Sequence, residues 1–189
     1  LNIARIVAII YCASIGIVEV YGTPEKHKAS DGREYLIETE YEYNWLEALN
    51  ECTRRNSQLL IIDSEEKNTV IVNLLKEASG GESYNVWLGG NDGRSFHKEE
   101  AFFWSTIGQK FTFTYWGYGA PNNGGCIDHC VHIWNTKPLY RWKDSECSMK
   151  MGFICEENPY VKMDKKLKTG CDALNNFSKF ERLQKDNME

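Results

Sequence analysis

The sequence predicts an α+β domain stapled by disulfides. Two helical stripes come early, a run of short strand-like segments follows, and six cysteines lie beyond the first twenty residues. The 189 residues are 42% hydrophobic and 13% aromatic, with six Trp and ten Tyr. That supplies ample apolar surface for one packed core. The net charge of −5 argues against a nucleic-acid binder, which would present a basic surface.

In chain order, Arg5 precedes an apolar run from Ile6 to Val18. Val20 and Gly22 then give the small residues a signal peptidase prefers, so 1–22 reads as a signal peptide cut before Thr23. The run is short for a bilayer span, which takes about 20 apolar residues. Export favours oxidised thiols. Cys12 would leave with the leader, and Cys52, Cys126, Cys130, Cys147, Cys155 and Cys171 remain. Six cysteines allow many pairings, and spacing alone does not choose among them.

Residues 23–34 are polar, with Pro24, Asp31 and Gly32, and read as a flexible lead-in to a domain over 35–157. Trp45, Ala48, Leu49 and Cys52 recur at helical spacing, and Asn44 with Glu47 resembles a capping box. Leu59–Ile62 suits a strand. Asp63 and Glu66 open a second helix with Ile71, Leu74, Leu75 and Ala78 on its buried stripe, and Gly80-Gly81 ends it. Short strands are then expected at Val86–Gly89, Phe102–Trp104, Val131–Trp134, Leu139–Trp142 and Gly152–Cys155. The Gly- and Asn-rich stretch from Thr112 to Gly125 is long for a loop in a compact domain, and such loops are usually functional. Residues 158–189 form a charged tail, where Leu174, Phe177, Phe180 and Leu183 suggest a short amphipathic helix. Asn176-Phe177-Ser178 is a glycosylation sequon.

Val86-Trp87-Leu88-Gly89, Trp116, Pro121-Asn122, Trp142-Lys143-Asp144 and Gly152-Phe153-Ile154-Cys155 occur in the order and spacing of the C-type lectin-like domain family. From Tyr35 to Glu156 the chain resembles that family, and its layout looks most like the small secreted C-type lectins of insects. The resemblance implies two helices with small antiparallel sheets and a long loop region. It also implies bridges Cys52–Cys155 and Cys130–Cys147. Cys126 and Cys171 are left over; an internal bridge between them is the favoured reading, and bonds to another chain are the alternative.

In sugar-binding members, a Glu-Pro-Asn triplet, a further acid and a Trp-Asn-Asp triplet hold calcium at the loop tip and contact the sugar. Here the first triplet is Ala120-Pro121-Asn122 and the last Trp142-Lys143-Asp144. Asn122, Asp128 and Asp144 survive as residual ligands; the leading carboxylate is gone, and an ammonium stands where an amide belongs. Calcium takes six to eight hard oxygens. A like charge about 4 Å away costs on the order of 4 kcal/mol at an effective dielectric of 20. Strong calcium binding is therefore expected to be lost, and no other cofactor is implied. Lys143 either pairs with Asp128 or Asp144 or points to solvent. Trp116 or Tyr118 would stack on a sugar face. A second family calcium site fares no better: Asp92 suits a turn with Asn91 and Gly93, and His129 precedes Cys130.

Cys126, Asp128, His129, Cys130 and His132 resemble a zinc cluster, but oxidising surroundings and the bridge at Cys130 oppose it. No nucleophile elbow, His-Glu-x-x-His stretch or phosphate-cradling glycine loop occurs, so an enzyme is not expected. The expected partners are glycans or glycoproteins on cell or microbial surfaces, without a membrane span. The alternative is a calcium-independent protein-binding subunit, as a homo- or hetero-dimer.

Overall fold

The computed structural model describes residues 24–78, 84–93, 102–136 and 139–186. The expected leader over 1–22 and the Gly80-Gly81 helix stop lie outside these residues.

The chain forms β1 (Glu25–Lys28), β2 (Glu34–Tyr43), α1 (Trp45–Arg54), β3 (Ser57–Leu59), α2 (Glu65–Ala78), β4 (Val86–Asn91), β5 (Phe103–Trp104), β6 (Gln109–Lys110), β7 (Asp128–Thr136), β8 (Leu139–Glu146), β9 (Met151–Glu157) and α3 (Pro159–Asp186). The α+β class and the helix-then-strand order agree with the sequence. The lead-in does not: 25–28 form a strand antiparallel to β2, with Glu25 opposite Ile37 and Lys28 opposite Glu34. The turn is closed by Asp31 and Gly32, whose φ is +82°; backbone pairing outweighs the polar composition. The tail also differs, being a 28-residue helix rather than a short one.

β9 organises the sheet. It runs antiparallel to β2 and β3 and parallel to β4, so the sheets are not purely antiparallel as expected. Gly152 makes the join with β2 feasible, since a Cβ there would lie 2.2 Å from the Glu38 carbonyl oxygen. β7 then pairs with β4 and, along its length, with β8.

The capping box on α1 forms: Glu47 N–H donates to Asn44 Oδ1 at 2.9 Å and Asn44 N–H to Glu47 Oε2 at 2.7 Å. On α2 the cap is Ser64, not Asp63, with Ser64 Oγ accepting from Lys67 N–H at 3.2 Å. The stripes bury Trp45, Ala48 and Cys52 on α1 and Ile71, Leu74 and Leu75 on α2. Trp87 and Leu88 are fully buried. Buried indoles still need an acceptor: Trp87 Nε1 donates to the Tyr43 carbonyl at 3.1 Å and Trp45 Nε1 to that of Leu88 at 2.8 Å.

Cys52–Cys155 ties α1 to β9 and Cys130–Cys147 ties β7 to the end of β8. Cys126 and Cys171 are free and exposed, so the favoured internal bridge does not form. Cys171 sits twelve residues into α3, roughly 18 Å along the helix axis from its start beside β9, whereas Cys126 ends a turn in the long loop.

Candidate functional site

Alternation along β8 decides which side chains serve the long loop. Tyr140, Trp142 and Asp144 are buried, while Arg141 and Lys143 point the other way and are half-buried. Trp142 anchors the loop's base. Its N–H donates to the Tyr115 carbonyl at 2.9 Å, and its carbonyl accepts from Gly117 N–H at 2.8 Å. Its ring sits edge-on to Trp104, Phe111, Phe113 and Trp116, with centroids 5.7–5.9 Å away. Trp116 also stacks on Phe111 and packs against Phe102. It is part of this aromatic wall and stays half-exposed. Tyr118 projects fully into solvent.

Past the cis Ala120–Pro121 peptide the loop folds over its own acids. Asp144 has no exposed surface. It accepts Asn122 N–H at 3.1 Å (Oδ1) and 2.9 Å (Oδ2), and Asn123 N–H at 2.6 Å (Oδ2). Asp128 Oδ2 accepts Gly124 N–H at 3.1 Å. A Cβ on Gly124 would lie 2.6 Å from that oxygen, so a larger residue would push the Asp128 carboxylate off this contact. Asn123 takes the left-handed conformation, φ +46°, which its type tolerates; among the described residues its buried Oδ1 has no hydrogen-bond partner.

Burial pushes the Asp128 carboxyl above its ordinary range. The charge of Asp144 adds to the rise, and the Gly124 amide and Lys143 oppose it. Buried His132 is held down to about 4, chiefly because burial disfavours its charged form. Its Nε2 lies 3.1 Å from Ser145 Oγ.

The expected site residues thus separate. Asp128 and Asp144 converge on the loop backbone, and Asn122 joins them through its amide while its side chain is exposed. Lys143 makes neither expected contact: its Nζ lies 5.4 Å from the centroid of the Trp134 ring. Asp92 sits in the expected turn, which the Asn91 side chain closes by accepting Gly93 N–H at 2.7 Å, and Asp92 Oδ2 lies 3.0 Å from His129 Nδ1. The zinc-like cluster is dispersed among the Cys130 bridge, the Asp92–His129 pair and the His132–Ser145 contact. Asn176 lies within α3. Arg141, which the sequence reading passed over, stacks its guanidinium 3.8 Å from the Tyr115 ring centroid. The signal for it was present in the alternation of Leu139, Arg141 and Lys143 with Tyr140, Trp142 and Asp144.

The family model described as the Lectin C-type domain matches residues 41–157. Lectin subunit alpha of Sarcophaga peregrina is 50% identical over 154 residues, 80% of this chain and 54% of the relative, so the chain spans about half of that protein's length. C-type lectin 16 of Aedes aegypti is 29% identical over 119 residues, covering 60% of this chain and 75% of that one. Among solved structures, human lithostathine superposes with TM-score 0.56 at 27% identity, covering 71% of this chain and 95% of that one. The calcium-free form of a calcium-dependent type II antifreeze protein gives 0.55 at 25%, covering 69% and 98%.

Proposed function

We propose that this chain, which belongs to the C-type lectin family, is an exported carbohydrate-recognition module whose long loop works without a bound calcium ion. One observation carries the reading: both surviving loop carboxylates are already spent on backbone N–H groups of Asn122, Asn123 and Gly124. Calcium needs several anionic oxygens turned toward one point. The donors Asn122, Asp128 and Asp144, with an ammonium next in sequence to Asp144, do not fit that requirement. The loop is instead closed by charge-assisted hydrogen bonds. Sugar recognition would then fall to exposed groups on the loop, such as Tyr118 and the Asn122 amide. Relatives named as lectins support a sugar ligand, and no reaction is assigned to the site. Export rests on the leader over 1–22 and on the two disulfides. Among the described residues no helix is long and apolar enough to cross a membrane. A glycan array probed with and without chelator tests the reading; equal signals are expected, and loss of binding on chelation would contradict it.

A second reading, a subunit that pairs with another chain, is favoured by α3. Tyr160, Met163 and Leu167 are 55–61% exposed and share one helix face with free Cys171. A non-reducing gel of the secreted protein separates the readings, since a thiol-dependent dimer band is expected only under the second.

A further inference from the structure

We infer that the ligand face beside the long loop is built for an anionic saccharide, one carrying sulfate or carboxylate groups. The inference rests on the carbohydrate reading above and names its substrate class. Four facts meet at one place. First, β7 and β8 pair Trp134 with Arg141 and His132 with Lys143, so both half-buried cations share the face of β8 opposite Tyr140, Trp142 and Asp144, beside exposed Trp134 and buried His132. Second, each cation is held by an aromatic ring: Arg141 over Tyr115 at 3.8 Å and Lys143 over Trp134 at 5.4 Å. Such contacts orient a cation without neutralising it. Third, among the described residues neither cation forms an ion pair with a carboxylate. The two nearby acids are turned inward to loop amides, Asp144 with no exposed surface. Fourth, the cluster is continuous with the loop. Gly117 brings the backbone against it, and a Cβ there would lie 3.3 Å from Arg141 Cβ and 3.9 Å from Trp134 Cε3.

The inward acids and outward cations invert the polarity of a carboxylate-lined cation site. A guanidinium stacked by its face keeps its N–H edge free, and that edge matches the paired oxygens of a sulfate or carboxylate. Lys143 adds a second point charge, and Trp134, 37% exposed, offers apolar surface to a sugar ring beside it. The chain as a whole is acidic, at −5, so general attraction of polyanions does not account for such a preference.

The test is titration of the full chain, in chelator, with a sulfated chondroitin disaccharide and its unsulfated counterpart. A parallel arm compares 3′-sialyllactose with lactose, which separates sulfate from carboxylate as the recognised group. The expected result is at least about tenfold tighter binding of an anionic sugar, weakening as salt screens the contact. That preference should vanish in Arg141→Gln/Lys143→Gln and persist in Lys165→Gln/Lys166→Gln on α3. Melting curves check that the variants fold, and Lys143→Gln alone serves if the double variant does not. Equal affinity for charged and uncharged partners would overturn the inference while leaving carbohydrate recognition standing. Loss of the preference in the α3 variant would also overturn it, because the anion would then be held by the basic helix. Absence of binding to any sugar would overturn the carbohydrate reading itself.

Discussion

The scaffold and the long loop each shelter an acid, Glu156 nearly and Asp144 wholly buried, and they satisfy it by different means. In the scaffold, Glu156 on β9 meets side chains and backbone from other elements. Lys67 Nζ on α2 lies 2.6 Å from Oε2, while Gln58 Nε2 at 3.1 Å and Ile61 N–H at 3.0 Å donate to Oε1. In the loop, Asp144 is met by N–H groups of the segment it organises, without a cation at ion-pair distance among the described residues. The first acid is charge-neutralised and locks three elements together. The second is stabilised by dipoles alone and holds one loop closed. An acid in a ligand motif can therefore be structural, and only its hydrogen-bond partners reveal which role it has.

The largest effect should come from the scaffold. Cys52→Ser/Cys155→Ser opens a bridge between residues 103 apart, where loop-closure entropy is worth about 4 to 5 kcal/mol. Opening Cys130–Cys147, 17 apart, should cost about 3 kcal/mol on the same account. Urea denaturation of both variants checks the order, and a larger loss from the second would invert the comparison.

His132 gives the next effect, at the boundary between the two regions. The fold holds it near pKa 4 against an ordinary 6.5, so the unfolded chain binds the proton first as pH falls. Its contribution is complete above about pH 6.5 and is lost progressively toward pH 4, to a total of about 3 kcal/mol. Asp128, whose raised pKa favours the protonated form in the fold, acts in the opposite sense. Melting temperatures across that window should fall with acid in the native chain and fall less in His132→Asn.

The smallest effect should be confined to the loop. Asp144→Ala leaves part-buried amides of Asn122 and Asn123 without their acceptor, at about 1 to 2 kcal/mol. Proteolysis should then begin between 117 and 126, with the rest of the domain intact. Global unfolding at native temperature would show that the loop and scaffold are one cooperative unit.

Much of the scaffold was legible in sequence because local rules are strong there. The helical stripes, the Asn44–Glu47 box and the Trp87-Leu88 strand depend on near neighbours and burial. The parallel β4–β9 pair was not legible, since it joins residues 66 apart in sequence (Val86 opposite Gly152). Nor was β1, where polar composition masked a strand completed by its partner. At the loop, the partners of the candidate residues were not legible. Asn122, Asp128 and Asp144 do gather, yet through backbone amides. Trp116 and Lys143 turn to aromatic partners that sequence spacing does not place beside them.

Thermal melting in millimolar calcium against chelator tests the closed loop most directly. A site filled a hundredfold above its dissociation constant would add about 2.7 kcal/mol, a shift of several degrees. The account predicts superimposable curves, because Asp128 and Asp144 already have their partners. A clear calcium-dependent rise at sub-millimolar ion would contradict it.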